Sequence, residues 1–178
     1  MTMTSPEPID LAKIAWTGGG VSRFEVSGQE YAQALALRDD TTTFQTENDA
    51  ALSHDLSTGT ATVELGIELR VMAGVPPQPT GISGRFELVF LFSIGNLTEL
   101  LSGVEGPIPA VHPQLALLLT SVAYSTARGI LHTRLAGTPL EGINLPLINP
   151  RQLLQPAPPP AAPKPRRAAP KRRPQPPR

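Results

Sequence analysis

The side chains that could do chemistry are few and scattered. His54, His112 and His132 are the only imidazoles, and none has a second histidine four residues on or a glutamate at metal-ligand spacing. His112 stands where it can cap the start of a helix, and His132 falls on a helix surface. Gly18-Gly19-Gly20 is followed by neither the Lys-Ser/Thr nor the helix that a phosphate loop requires, so the triplet reads as a bulge in a strand. No Gly-x-Ser-x-Gly occurs. Asp39, Asp40, Asp49 and Asp55 read as solvated acids. The absence of cysteine removes disulfides and thiolate metal sites, and it fits a reducing compartment. The chain thus reads as a non-enzyme with no cofactor and no metal. Its distinctive chemistry is apolar: Gly142-Ile143-Asn144-Leu145-Pro146-Leu147-Ile148-Asn149-Pro150-Arg151-Gln152-Leu153-Leu154 carries more greasy residues than a connection of its kind needs.

Something must position that segment. In residues 61–73, Val63, Leu65, Ile67, Leu69 and Val71 alternate with Thr62, Glu64, Gly66, Glu68 and Arg70, a strand with one buried and one wet face. Residues 74–81, with three prolines, form a hairpin loop. In the return strand, residues 85–94, Phe86, Leu88, Phe90, Phe92 and Ile94 share a face. Ile14, Trp16, Val21, Phe24 and Val26 mark a first strand interrupted at the glycines, and residues 41–52 a weaker second one. Residues 29–38 are ambiguous, with helical spacing over a short span. Antiparallel strands of this kind need one covering layer. Residues 113–136 supply it as a long helix, opened by Pro113 and stopped by Gly137 and Pro139. Leu115, Leu118, Leu119, Val122, Thr126, Gly129, Ile130 and Thr133 make one stripe along it; Leu117, Tyr124, Leu131 and Leu135 make a second. Two stripes predict two partners, the sheet and another subunit. Arg151 to Gln155 starts a short second helix.

The 178 residues suffice for one domain with unstructured ends. Fifteen Lys+Arg balance fifteen Asp+Glu, but the balance conceals a division. From Pro156 onward there are seven bases, ten prolines and no acid, which leaves 8 bases against 15 acids in residues 1–155, a net of −7. The expected organisation is a disordered N-terminus over residues 1–10, a folded domain over 11–155, and a disordered Pro/Arg-rich tail over 156–178. Such a tail is biased to polyproline II and spans up to about 70 Å. Residues 1–12 lack a charged segment followed by an apolar one, and no apolar run approaches the ~20 residues a bilayer needs, so the expected location is cytoplasmic.

Phe92-Ser93-Ile94, Thr126-Ala127-Arg128, Gly137-Thr138-Pro139, Ile143-Asn144-Leu145-Pro146-Leu147-Ile148-Asn149 and Leu153-Leu154, in that order, resemble the SecB family of protein-export chaperones. In that family Phe-Ser-Ile ends the last strand, Ala-Arg sits mid-helix, and a Leu-Asn-Leu-Ala-Pro-Val-Asn-like loop leads to a second helix. The match follows element order over roughly residues 12–155 and is residue-specific over about 85 to 154. The resemblance implies an α+β fold: a four-stranded antiparallel sheet packed under one long helix, with a vestigial second helix. It implies a homotetramer, a dimer of dimers joined through strands and helices; Leu117, Tyr124 and Leu131 are the expected interface residues. It implies an ATP-independent holdase that keeps precursors unfolded and passes them to the SecA motor. Carried over by position, Phe92, Ile94, Leu145, Pro146, Leu147, Ile148, Leu153 and Leu154 would line the client groove, and Glu64, Glu68 and Glu87 would form the SecA-docking face. Three features depart from the pattern: the second helix is almost absent, Arg85 stands near where an acid is usual, and the tail is basic where the family's is acidic. A SecB-like protein serving another client, such as an antitoxin, is a variant of the same expectation.

Surface physics accounts for such a function without sequence reading. Apolar burial yields about 25 cal/mol per Å2, so a groove of roughly 300 Å2 offers about 7 kcal/mol before association costs take most of it. Several grooves on one oligomer then add through effective concentration. The plainer alternative for residues 145–154 is packing back onto the sheet. The rival function is a dimerisation domain whose basic tail binds RNA, the ribosome or an anionic membrane surface; with no aromatic residue in the tail, such contact would be nonspecific.

Overall fold

The structure, a computed structural model, describes residues 9–28, 41–102 and 110–154. The expected disorder of residues 1–8 and of the tail, and the ambiguous segment 29–38, lie outside the described residues. Four long strands, β1 (Ile14–Ser27), β2 (Thr43–Asp55), β3 (Thr60–Ala73) and β4 (Gln78–Ile94), form an antiparallel sheet in the order β1-β4-β3-β2. A two-stranded pair, β5 (Leu101–Ser102) with β6 (Ala110–Val111), precedes helix α1 (Pro113–Arg134), and a single turn, α2 (Pro150–Leu153), follows. The fold is the α+β arrangement expected, with the return strand starting seven residues earlier than its apolar pattern suggests.

Period-two alternation in β3 and β4 decides which face is buried. Ala61, Val63, Leu65, Ile67, Leu69 and Val71 line up across the ladder with the inward residues of β4, from Ile82 through Phe86, Leu88, Phe90 and Phe92 to Ile94, and all are buried. Helix α1 lies over this face and touches β3, β4 and β2. Its entry is fixed by His112, whose Nδ1 accepts from the Gln114 N–H at 3.3 Å, and by Pro113. Its exit turns at Gly137, φ 76°. Leu140 then seats on Gly84, where any Cβ would meet the leucine Cδ1 at 2.6 Å, anchoring the post-helix turn to β4.

The buried row of α1 is not the expected stripe. It runs Leu115, Leu119, Ala123, Ala127, Leu131, with Leu135 beyond the helix end, and each is at most 1 % exposed. Alanines carry the middle of the row because a short side chain lets the helix axis approach the sheet, so an apolar pattern read from large residues skips them. Tyr124 and Leu131, expected at a subunit interface, are instead buried within this subunit, and Leu117 is half-buried. Val122 and Gly129, expected in the inward stripe, face out.

The glycine triplet behaves as a bulge, with a register shift between Trp16 and Gly18. Gly19 has φ 141°, and a Cβ there would run into the Val89 carbonyl; at Gly20 it would meet open space. Gly19→Ala should therefore lose about 1–3 kcal/mol of stability through strain at a backbone that cannot retreat, whereas Gly20→Ala should stay within about 0.5 kcal/mol of the parent. Urea unfolding of the two variants checks this; equal midpoints would remove the steric role of Gly19.

Candidate functional site

The segment after α1 is extended and alternates. Ile143 and Leu145 turn into the core, Asn144 and Pro146 turn out, and Leu147 stands 85 % exposed before Ile148 returns halfway. Two side chains one helical turn apart on α1 hold it. The Tyr124 hydroxyl donates to the Pro146 carbonyl at 3.1 Å, and Arg128 Nε donates to the Leu145 carbonyl at 2.9 Å. Side chains thus satisfy backbone acceptors that no strand pairs with. Asn149 then caps α2, its Oδ1 accepting from the Arg151 N–H at 3.0 Å, and Leu153 is buried as α2 packs on α1 and β2. Burial pushes the Tyr124 phenol above its ordinary pKa of 10, with the Arg128 charge opposing part of the rise.

The expected groove residues therefore separate. Phe92, Ile94, Leu145 and Leu153 are at most 5 % exposed and serve the core; Ile148 and Leu154 are half-buried; Pro146 and Leu147 face out. Further apolar surface lies on β1, whose large residues mark a strand in the sequence but were not expected to form part of a site. Ile14 and Trp16 pair across from Ile94 and Phe92 on the helix-side face, and Phe24 stacks against Phe86 with centroids 5.1 Å apart. Yet Ile14, Val21, Phe24 and Val26 are only partly covered, and Trp16 is 56 % exposed. The signal for this strip was that β1's inward residues outnumber what one helix over β3 can roof.

The opposite face of the sheet is charged. Cross-strand register places Arg23 opposite Glu87 and Glu68 opposite Arg85. Ion pairs of 2.8–3.8 Å run in one chain across all four strands, Glu25–Arg23–Glu87–Arg85–Glu68–Arg70–Glu47. All are solvent-accessible, so each contributes at most about 1 kcal/mol. Of the three expected docking acids, Glu68 and Glu87 belong to this chain, and Glu64 makes no ion pair among the described residues. Asp49 also stands outside the chain, lying over Gly66, the side-chain gap on its neighbour strand. No group of His, Cys, Asp and Glu that could hold a metal occurs among the described residues, and none of their helices is long and apolar enough to cross a membrane.

The fold has a solved counterpart. The Mycobacterium tuberculosis SecB-like chaperone Rv1957, solved in complex with a ChAD peptide from the HigA1 antitoxin, superposes with a TM-score of 0.52 at 15 % identity, over 77 % of this chain and 91 % of that one. The fold is SecB-like. A protein of unknown function from Streptococcus agalactiae aligns at a TM-score of 0.22 and 13 % identity, over 75 % of this chain and 97 % of that one. No protein-family model and no curated protein sequence matches the chain.

Releasing either clamp should loosen the loop before the fold. Tyr124→Phe should cost about 0.5–1.5 kcal/mol and Arg128→Met about 1.5–3 kcal/mol, with faster proteolysis at residues 142–148 while helix circular dichroism is kept. The Tyr124 contribution has a fixed sign in pH: the folded state holds the proton more tightly, so it is complete below pH 10 and lost as pH rises past the raised value. Tyr124→Phe should flatten that alkaline loss; an unchanged slope would show that the phenol's titration is not linked to folding.

Proposed function

We propose that this chain is an ATP-independent holdase without enzymatic activity, a homo-oligomer that binds extended, non-native polypeptide on apolar surface beside α1. The observation that carries this is the presented loop: Leu147 stands 85 % exposed on a segment whose backbone is tethered at the two preceding carbonyls. A greasy side chain held out in a fixed place is available to a partner without further ordering of the loop. The half-roofed strip of β1, with Trp16 and Phe24, is a second apolar surface, at the opposite edge of the sheet from α2. Each such contact is weak and tolerant of sequence, because apolar burial is nondirectional. Tight, long-lived capture then comes from several surfaces on one oligomer acting together.

The destination of the client is the finer part of the proposal. Export precursors handed to SecA fit the resemblance in the loop and helix, with Glu64 as the docking acid not already engaged by an arginine. The peptide bound to the mycobacterial neighbour supports the other destination, an antitoxin-type client held through an exposed segment.

Light scattering of a chemically denatured, refolding protein should fall when this chain is added at stoichiometric amounts. Leu147→Ser combined with Ile148→Ser should raise the apparent Kd for an extended apolar peptide by about tenfold, as the loss of roughly 1.4 kcal/mol of buried area would. The native mass should stay unchanged. Leu145, which sequence alone makes an equal candidate, is the wrong residue to test because its removal opens the core. Trp16, the single tryptophan, should shift its emission to the blue as peptide binds. Truncation at Gln155 separates the rival: loss of all binding would assign the activity to the basic tail, and retained aggregation suppression to the folded domain.

A further inference from the structure

We propose that the charged outer face of the sheet is the docking site of this chain's own basic tail, residues 156–178, which lies along β2 and β3 and covers their unengaged carboxylates. The docking stands without the chaperone reading; only its consequence for a motor partner rests on that reading.

Charge bookkeeping on the face is uneven. Seven acids point outward from it, Glu25, Glu47, Asp49, Asp55, Glu64, Glu68 and Glu87, against three arginines, Arg23, Arg70 and Arg85. The arginines are already committed within the ion-pair chain. The uncompensated charge therefore collects on the β2–β3 half, at Asp49 and Glu64 with Asp55 at the end of β2. Asp49 and Glu64 are near neighbours: Asp49 sits opposite Gly66, and Glu64 is two residues along the same strand face. With Glu68, Glu87 and Arg85 they border a shallow depression over Gly66. Asp55 is held ionised to lower pH than usual by hydrogen bonds from the Ser57 hydroxyl and N–H.

Seven further bases, those of the tail, are delivered close by. The described residues end at Leu154, directly after α2, and α2 packs against β2, the strand at this edge of the sheet. Nine residues, spanned by ten chain steps, lie between Leu154 and the first tail base, Lys164. Extended, they reach about 31 Å, well beyond the roughly 10–12 Å thickness of the helix layer that the tail must pass to round the edge. Lengths match too. The bases Lys164, Arg166, Arg167, Lys171, Arg172 and Arg173 spread over about 28 Å in a polyproline II conformation. On β2, the distance from Glu47 to Asp55 is about 27 Å at strand rise. A tether this short holds the tail at millimolar effective concentration, so even weak, screened contacts populate the docked form, and they fade as the Debye length falls from about 10 Å at 0.1 M salt to 3 Å at 1 M. Prolines suit the role: they keep the tail extended and supply few donors to compete with the strand ladder.

The docked tail would compete with any basic partner for Glu64, so a motor or other cationic element reaches this face only by displacing it. An acidic or nucleic-acid ligand that takes the tail away would open the face.

The chain contains three lysines, Lys13, Lys164 and Lys171, which makes zero-length carbodiimide crosslinking of the full-length protein easy to map. At 50 mM salt, Lys164 and Lys171 should form amides mainly with Glu47, Asp49 and Glu64. Their yield should fall at least fivefold at 500 mM salt, and at least threefold in Asp49→Asn combined with Glu64→Gln, while Lys13 links stay constant as an internal control. Links that go mainly to Asp10, Glu99 or Glu141, that ignore salt, or that survive the double substitution unchanged would overturn the assignment. So would an absence of tail links at low salt. Mixing with 15N-labelled chain decides the tether: links within one isotopic form support it, and predominantly mixed links overturn it. Aggregation suppression by Asp49→Asn alone should equal that of the parent, so failure of the docking is distinguishable from failure of the chaperone reading.

Discussion

An α-helix is about 10–12 Å across, and a four-stranded sheet is roughly 15–20 Å wide, so one helix cannot roof the whole of it. That mismatch governs this molecule. Helix α1 sits over β3 with contacts to both neighbours, and the residues beneath it are buried as fully as any protein core. The inward face of β1 is left to the post-helix turn at one end, where Leu140 meets Gly84, and to solvent along much of the rest. A second full helix would close the gap. Here that helix is a single turn placed at the opposite edge, against β2. The apolar strip left on β1 is thus a consequence of layer geometry, and needs no separate device to create it.

The parts legible in the sequence were those whose fate depends on periodicity. Alternation from Val63 to Val71 and the shared apolar face from Phe86 to Ile94 can satisfy only one sheet face, so the strands and their antiparallel pairing followed together. Helix limits followed from Pro113, His112 and Gly137, where cap chemistry is local. The orientation of the helix was less accessible. Alanine at 123 and 127 weighs little in an apolar pattern, yet it is alanine that permits the closest approach, and Tyr124 and Leu131 rotate inward with it. Two-residue strands such as β5 and β6 leave no periodic trace at all.

Residues 145 to 148 show why a site is harder to read than a fold. Leu145 and Leu147 are chemically identical, two positions apart in an extended segment, and one is 4 % exposed while the other is 85 % exposed. What separates them is the pair of hydrogen bonds that Tyr124 and Arg128 make to the loop carbonyls from another element. No local pattern encodes which carbonyls a distant helix will hold. The Ala-Arg pair was recognisable as a motif, but its role as a clamp emerged only from geometry.

The same limit applies to the charged face, in reverse. Glu64, Glu68 and Glu87 read in the sequence as one face of equivalent acids. Register converts most of them into a ladder in which every arginine is shared between two carboxylates. Such a ladder adds little stability, because each pair is exposed and screened. Its effect is on recognition: it withdraws Glu68 and Glu87 from the pool of available carboxylates and leaves Asp49 and Glu64 as the part of the face with charge to offer. A cationic partner would therefore meet a patch narrower than the acid count suggests, offset toward β2, the edge from which the chain's own cations depart. The half-roofed apolar strip of β1 and the ion-pair ladder thus lie on opposite sides of one sheet.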